Sequence, residues 1–255
     1  MVKEKIRNLI VDFVRSKNRE GLWREPIVGY ADASDSLFKR LREVTYPGHF
    51  LPEELLPEAK TVIVFFVPFD SRVVESNLLG YSASRLWAYS YVATNQLLVE
   101  ISEMLKEFFR KKNIKCAVIL PTHNFDREKL VSWWSHRHAG YIAGIGKFGL
   151  NNMLITKSGC AGRTSSIIID LEMQPSPRDD DEYCLYKRDE SCTVCVEKCV
   201  NDSLRVSGFN RFSCWQRCLE NGELYTDLGS PSVCGKCVVG LPCTYEIPLL
   251  KESQF

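Results

Sequence analysis

Tyr183-Cys-Leu-Tyr-Lys-Arg-Asp-Glu-Ser-Cys192-Thr-Val-Cys195-Val-Glu-Lys-Cys199 carries the reading that organises this chain. Cys192 and Cys195 form a C-x2-C pair, and Cys199 follows after three further residues. Downstream come Cys214-x3-Cys218 and then Cys234-x2-Cys237-x5-Cys243. This is an iron–sulfur ligand pattern: two close thiolates grip one cubane, and the next thiolate, pointing away, ligates a second. Nine cysteines lie between Cys184 and Cys243, one more than the eight thiolates that two cubanes require. Zinc knuckles use the same four-cysteine sets and stand as the alternative. Disulfides suit neither the interleaved spacing nor the sequence around it.

The remainder of the chain has a different character. It is 255 residues long, 45% hydrophobic and 25% charged, enough for one or two domains with a real core. Thirty-three basic residues against 32 acidic leave a net charge of +1, which argues against a strongly basic nucleic-acid binder. Only Cys116 and Cys160 precede residue 184. Met1-Val-Lys-Glu-Lys-Ile6 has no apolar leader core, and the longest apolar run, Val62 to Phe69, is too short to cross a bilayer. The final residues, Glu252-Ser-Gln-Phe255, make no lipidation box. A reducing cytoplasm is therefore expected, where clustered cysteines hold metal.

Periodicity predicts an amphipathic helix over 3–16 and an irregular, turn-rich stretch over 17–59 containing a short helical step at 52–59. Thr61-Val-Ile-Val-Phe-Phe-Val67 reads as a strand buried on both faces. A long helix over 84–112, a strand at 115–120, a helix over 127–139 and a strand pair at 152–156 and 165–170 follow. The order points to one mixed α/β domain, residues 1–173. Gln174-Pro-Ser-Pro-Arg-Asp-Asp-Asp-Glu182 reads as a linker, and residues 174–255 as a cluster module too poor in apolar residues to fold without an inorganic core.

The module Tyr183–Cys243 resembles the double-cubane domain of epoxyqueuosine reductases and reductive dehalogenases. Upstream, Leu55-Leu-Pro-Glu-Ala-Lys-Thr-Val-Ile-Val64 is similar to that family's first core strand, and Arg137, Ala143-Gly-Ile-Gly146 and Leu154-Ile155 to its "ER … AGLG … LLI" passage. The likeness spans about residues 50 to 245 and lacks a helical-repeat tail. It implies a nitroreductase-like N-terminal domain, a ferredoxin-like module with two [4Fe–4S] clusters, and cobalamin as a further cofactor. It also apportions the ligands: Cys184, Cys192, Cys195 and Cys243 for the first cluster, and Cys199, Cys214, Cys234 and Cys237 for the second. Cys218 is left over. Three positions depart from the family pattern. Val200 and Thr244 replace prolines, and Asp189 stands three residues before Cys192, where the first ligand is usual.

The implied activity is that of an iron–sulfur oxidoreductase passing electrons to a bound corrinoid or small substrate. The alternative is a ferredoxin-type electron carrier or an activator of a corrinoid protein. Ferredoxin, flavodoxin or a reductase would supply electrons; tRNA fits the balanced charge poorly but stays among the candidate partners. Gly144, Gly146, Gly149 and Gly162 would let backbone approach a flat cofactor, with Arg137 and Arg163 available to its charged groups. Trp133-Trp-Ser-His136-Arg-His138 is the richest polar cluster outside the cysteines. His136 and His138 are candidate proton donors, with structural imidazoles as the competing reading. The family's donor aspartate falls near Leu130, and Asp126 is the nearest acid.

Overall fold

The computed structural model describes residues 2–122 and 124–248; the chain end considered above for lipidation lies outside the described residues. In chain order the elements are α1 (Val2–Lys17), β1 (Ile27–Asp32), α2 (Ser36–Val44), α3 (Pro52–Leu55), β2 (Thr61–Pro68), α4 (Ser71–Ser76) and α5 (Arg85–Arg110). Then come β3 (Cys116–Val118), β4 (Phe125–Asp126), β5 (Val131–Ser132), α6 (His136–Ile142), β6 (Gly146–Phe148), β7 (Leu154–Thr156) and β8 (Gly162–Ile169). The cysteine-rich part holds α7 (Leu185–Asp189), α8 (Val194–Glu197), β9 (Leu204–Arg205), β10 (Gly208–Phe209) and α9 (Arg211–Glu223). No helix among the described residues is long and apolar enough to cross a membrane.

The chain divides into two compact units. The first comprises Met1–Asp70, Val92–Ile145 and Gly162–Asp179. Its centre is an antiparallel sheet in the order β1-β2-β8-β3. All eight residues of β2 are buried, as a β-branched and aromatic run between two hydrogen-bonded neighbours requires. Ile63 sits opposite Tyr30 on one side and Ile167 on the other. The α1 stripe Ile6, Ile10 and Val14 is buried, and Lys17 pairs with Glu100 of α5. On α6, Ala139 and Ile142 are buried and the helix packs on β1, β2 and β8. The mixed α/β class read from the element order is what the structure has.

Two sequence expectations fail in this unit. Residues 17–59 are not irregular: they supply the edge strand β1 and the helix α2. Gly29 hides the strand, because a Cβ there would lie 2.3 Å from an Ile145 methyl; the position is reserved for close packing. Asp35 starts α2 by accepting the Leu37 N–H. Nor is there a helix from 127. The Asp126 carboxylate takes the N–H groups of Glu128 and Lys129, Leu130 adopts φ +52°, and the chain turns back as the β4–β5 hairpin. Helix begins at His136, where Ser135 caps it by accepting the His138 N–H.

The second unit gathers Ser71–Tyr91, Gly146–Ala161 and Asp180–Phe255. The two strands expected to pair part company here: β7 pairs with β6, while β8 belongs to the large sheet. The cysteine-rich segment is pinned to its upstream companions by side chains reaching backbone. Asn77 donates to the Cys234 carbonyl at 2.9 Å and Asn151 to that of Cys237 at 2.8 Å. Asn221 accepts from Ala83 N–H and donates to the Val233 carbonyl. Gly235, at φ +75°, lets the chain lie against the Trp87 indole, where a Cβ would come within 2.3 Å of the ring.

Phe65 lies at the middle of β2 with no exposed surface. Phe65→Ala is expected to cost about 3–5 kcal/mol, read as a lower urea midpoint at unchanged slope.

Candidate iron–sulfur site

Folding brings four of the cysteines around one space. Cys184 precedes α7, Cys195 lies within α8, Cys192 falls between them, and Cys243 comes from near the chain's far end. These four thiols line one narrow pocket together with Leu150, Ile155, Leu185, Leu241 and Pro242. Burial pushes the Cys195 thiol up to about 12, and the neighbouring sulfurs of Cys243, Cys184 and Cys192 add to the rise. The other four form a second neighbourhood. Cys237 is raised by burial and then by Cys234, Cys214 and Cys199, and more weakly by Cys195. Cys234 is likewise raised by burial, with Cys214 and Cys199 contributing.

Bringing thiolates together in an apolar place is unfavourable unless a cation offsets the repulsion. The surroundings are already arranged for sulfur acting as an acceptor. Leu150 N–H points at Cys184 Sγ at 3.4 Å, and Leu204 N–H at Cys199 Sγ at 3.3 Å. Hydrogen bonds of this kind tune cluster potential. Among the described residues, no three or more His, Cys, Asp or Glu side chains form a compact group of the kind that holds a single metal ion. Four thiols spread around a cavity suit a polynuclear cluster better than one zinc ion with sulfurs at about 2.3 Å. The donor set, four thiols lining one pocket, therefore fits a [4Fe–4S] group.

Several participants are invisible in the spacing. Cys160 is buried, with its Sγ 3.9 Å from that of Cys243, and contact with Cys243 and burial raise its thiol. Its backbone N–H donates to the Cys243 carbonyl at 2.9 Å. Cys218, the surplus cysteine, lies one turn from Cys214 on α9, and contact with Cys214 and burial raise its thiol. Lys236 is buried between the carbonyls of Asn77 and Leu79, each at 2.8 Å from Nζ. Arg217 is buried with its guanidinium 3.9 Å over the Tyr81 ring and donates to Ser82 Oγ and Asn221 Oδ1. Both cations act on the second cysteine neighbourhood: burial lowers Lys236 and Cys234 opposes that fall, while Arg217 opposes the rise that burial gives Cys234. A lone lysine and a lone arginine carry no such signal in a sequence, because only burial sets them apart from the many on the surface.

The upstream candidates fall in different places. His136 Nδ1 lies 2.8 Å from Ser166 Oγ and Nε2 lies 2.9 Å from the Leu120 carbonyl. Trp134 Nε1 donates to the same Ser166 oxygen, so the imidazole closes an internal chain of hydrogen bonds. Burial lowers His136 to about 4. His138 Nδ1 lies 2.7 Å from Ser135 Oγ, and burial, then Arg137, lowers it to about 4. His49, missed in the sequence, accepts the Ser135 N–H at 3.0 Å and stacks near Trp134. Asp126 is held below the usual carboxylate range by the turn N–H groups of Lys129 and Glu128, and so stays ionised.

Arg137 is exposed on the first turn of α6. Arg163 donates to Asn95 Oδ1 at 2.8 Å. The glycines do not form one cradle. Gly144, at φ +69°, faces the Pro177 carbonyl, 2.3 Å from where a Cβ would be. Gly162 faces Phe66 and the Val67 carbonyl, and Gly146 the Ile155 carbonyl. Gly149 alone lines the cavity of the first four cysteines. The space a Cβ would take at Gly144, Gly146 and Gly162 is filled by the protein's own backbone and side chains, so these glycines serve close packing of the chain.

No protein-family model matches the chain, and neither does any curated protein sequence. Solved structures do. Epoxyqueuosine reductase from Bacillus subtilis, with its aspartate catalytic loop swung out of the active site, aligns at TM-score 0.56 and 19% identity over 96% of this chain and 68% of that one. The enzyme from Streptococcus thermophilus aligns at 0.56 and 18%, over 95% and 68%. A complex of epoxyqueuosine reductase with an epoxyqueuosine-modified tRNA-Tyr stem loop aligns at 0.52 and 19%, over 85% and 57%. At such identities the likeness establishes a shared fold, and the chain spans 66% of the length of another epoxyqueuosine reductase structure that it matches.

The buried imidazoles give a pH dependence. Unfolded, both titrate near 6.5; folded, near 4. Between these values the unfolded chain binds the extra protons, so stability is full above about pH 6.5 and falls as pH drops toward 4. Thermal midpoints across that range should decline, and His136→Gln should flatten the decline. Identical slopes for both proteins would remove His136 from this account.

Proposed function

We propose that the chain is an iron–sulfur oxidoreductase of the epoxyqueuosine reductase type, residues 174–255 supplying the ligands of two [4Fe–4S] clusters. Cys184, Cys192, Cys195 and Cys243 would hold the first, and Cys199, Cys214, Cys234 and Cys237 the second. The observation that carries this reading is the cavity lined by the first four thiols. The fold shared with epoxyqueuosine reductases supports it. Such clusters supply one-electron transfer at a potential set by their surroundings. The chain's own part is to exclude water with Leu150, Ile155 and Leu241, to donate N–H groups to Cys184 and Cys199, and to place Lys236 and Arg217 as fixed positive charge. A reducing cytoplasm suits thiolate ligands of this kind.

Cobalamin is left out of the proposal: the glycines read as its cradle, Gly144, Gly146 and Gly162, pack against the protein's own atoms. A second reading is an electron carrier or partner activator that transforms no substrate. It is favoured by the state of the three candidate proton donors: His136 is fully engaged, His138 is neutral, and Asp126 is ionised. A tRNA stem loop, bound by one structural neighbour, is the substrate to try first.

Anaerobically reconstituted protein should be brown, with about eight iron and eight sulfide per chain. Colourless protein carrying zinc overturns the redox reading. Cys184→Ser should lower iron to about four per chain and leave the paramagnetic signal of one reduced cluster. Full iron content in that variant removes Cys184 from the ligand set. Conversion of an epoxyqueuosine-containing stem loop by the reduced protein, followed by mass spectrometry, separates the enzyme from the carrier.

A further inference from the structure

Residues 205–212, Arg205-Val-Ser-Gly-Phe-Asn-Arg211-Phe212, are exposed without interruption. They form the tip of the β9–β10 hairpin and the start of α9, around an open depression lined by Asn201, Ser203, Phe209 and Ser213. Val206, Phe209 and Phe212 are 48%, 44% and 58% exposed. Single exposed apolar side chains are ordinary, but three within seven residues form a patch. Asp202 is the one acidic residue lining the depression, against Arg205 and Arg211, and neither arginine is in an ion pair among the described residues. Exposed aromatics with two arginines against a single aspartate is the composition of a protein-binding surface.

This patch is tied to the second cysteine set at both ends. Leu204, whose N–H points at Cys199 Sγ at 3.3 Å, opens the hairpin. Asn201 donates to the Ser213 carbonyl at 2.9 Å, and Cys214 is the next residue. A body seated on Phe209 and Phe212 is thus separated from the Cys199 sulfur by one short strand and one hydrogen bond.

We propose that this face receives an acidic one-electron carrier protein, which delivers electrons to the cluster held by Cys199, Cys214, Cys234 and Cys237; this rests on the iron–sulfur reading above. The carrier loses one electron and that cluster gains it, and no bond is made or broken. Two arginines outside any ion pair attract carboxylates from a distance, and the phenylalanines displace water at contact, which suits the small, weak interfaces of redox encounters. A nucleic acid would also stack on exposed aromatics, but tracking a phosphate backbone draws on many more cations than two.

The test is anaerobic stopped-flow reduction of the reconstituted full chain by a reduced, acidic plant-type [2Fe–2S] ferredoxin. The wild-type rate should fall steeply as salt rises. Arg205→Glu/Arg211→Glu should be reduced about tenfold more slowly at low salt and lose the salt dependence. Phe212→Ser should slow the reaction without altering its salt dependence. Iron content should match the wild type, and dithionite should reduce all the proteins to the same extent. Cluster-loaded protein that ferredoxin does not reduce, or variants reduced at the wild-type rate, overturn the docking face alone. Loss of RNA stem-loop binding in the double variant, with ferredoxin reduction unchanged, overturns it in favour of a nucleic-acid face. Protein that takes up no iron overturns the iron–sulfur reading itself, and the docking face with it.

Discussion

The structure depends on how four clustered sulfurs tolerate one another. Desolvation, and then the sulfurs beside it, hold the Cys195 thiol near 12, so a cluster seated there would have to displace its proton. Much of the second unit is explained by that requirement. Leu150 and Leu204 turn backbone N–H groups toward sulfur, and Asn77 and Asn151 hold the Cys234 and Cys237 backbone in place. The unit has little else to hold it: the helices of its cysteine-rich segment are mostly short, and its apolar residues line the cavity as much as they pack a core. On the proposed reading, metal binding and folding would be one equilibrium.

The two cysteine neighbourhoods are not electrically alike. Lys236 and Arg217, both buried, stand beside the second set, while the first is walled by leucine, isoleucine and proline. Fixed positive charge stabilises the more reduced, more negative state of a cluster, and an apolar wall does the reverse. The asymmetry is built from ordinary backbone needs. Lys236 is held by the Asn77 and Leu79 carbonyls and Arg217 by Ser82 and Asn221, so neither cation is ordered by the sulfurs themselves.

What can be read from the sequence follows physical period and covalent spacing. The β2 run, the long α5 and the cysteine motif are strong local patterns, and each appears where its pattern lies. Strand β1 escapes because Gly29 breaks its alternation for a packing reason that only the Ile145 contact reveals. The 127–139 helix is a periodicity without a start signal; Asp126 commits its carboxylate to a turn instead. The glycines at 144, 146 and 162 look like room for a ligand, but they are room for the chain itself. Cys160 belongs to no spacing motif, and its nearness to Cys243 is a fact of tertiary structure.

The first cavity takes one wall from residues 149–155, three thiols from 184–195 and its fourth from Cys243. On the ribosome these parts emerge in that order. The whole stretch from Cys184 to Cys243 must be made after the first ligand appears before the last one exists. A cluster placed early would have an open corner exposed to oxidant and to competing thiols. A cluster on the proposed ligand set could not be closed before Cys243 is made, and whatever inserts iron and sulfide would meet a polypeptide that has already begun to fold.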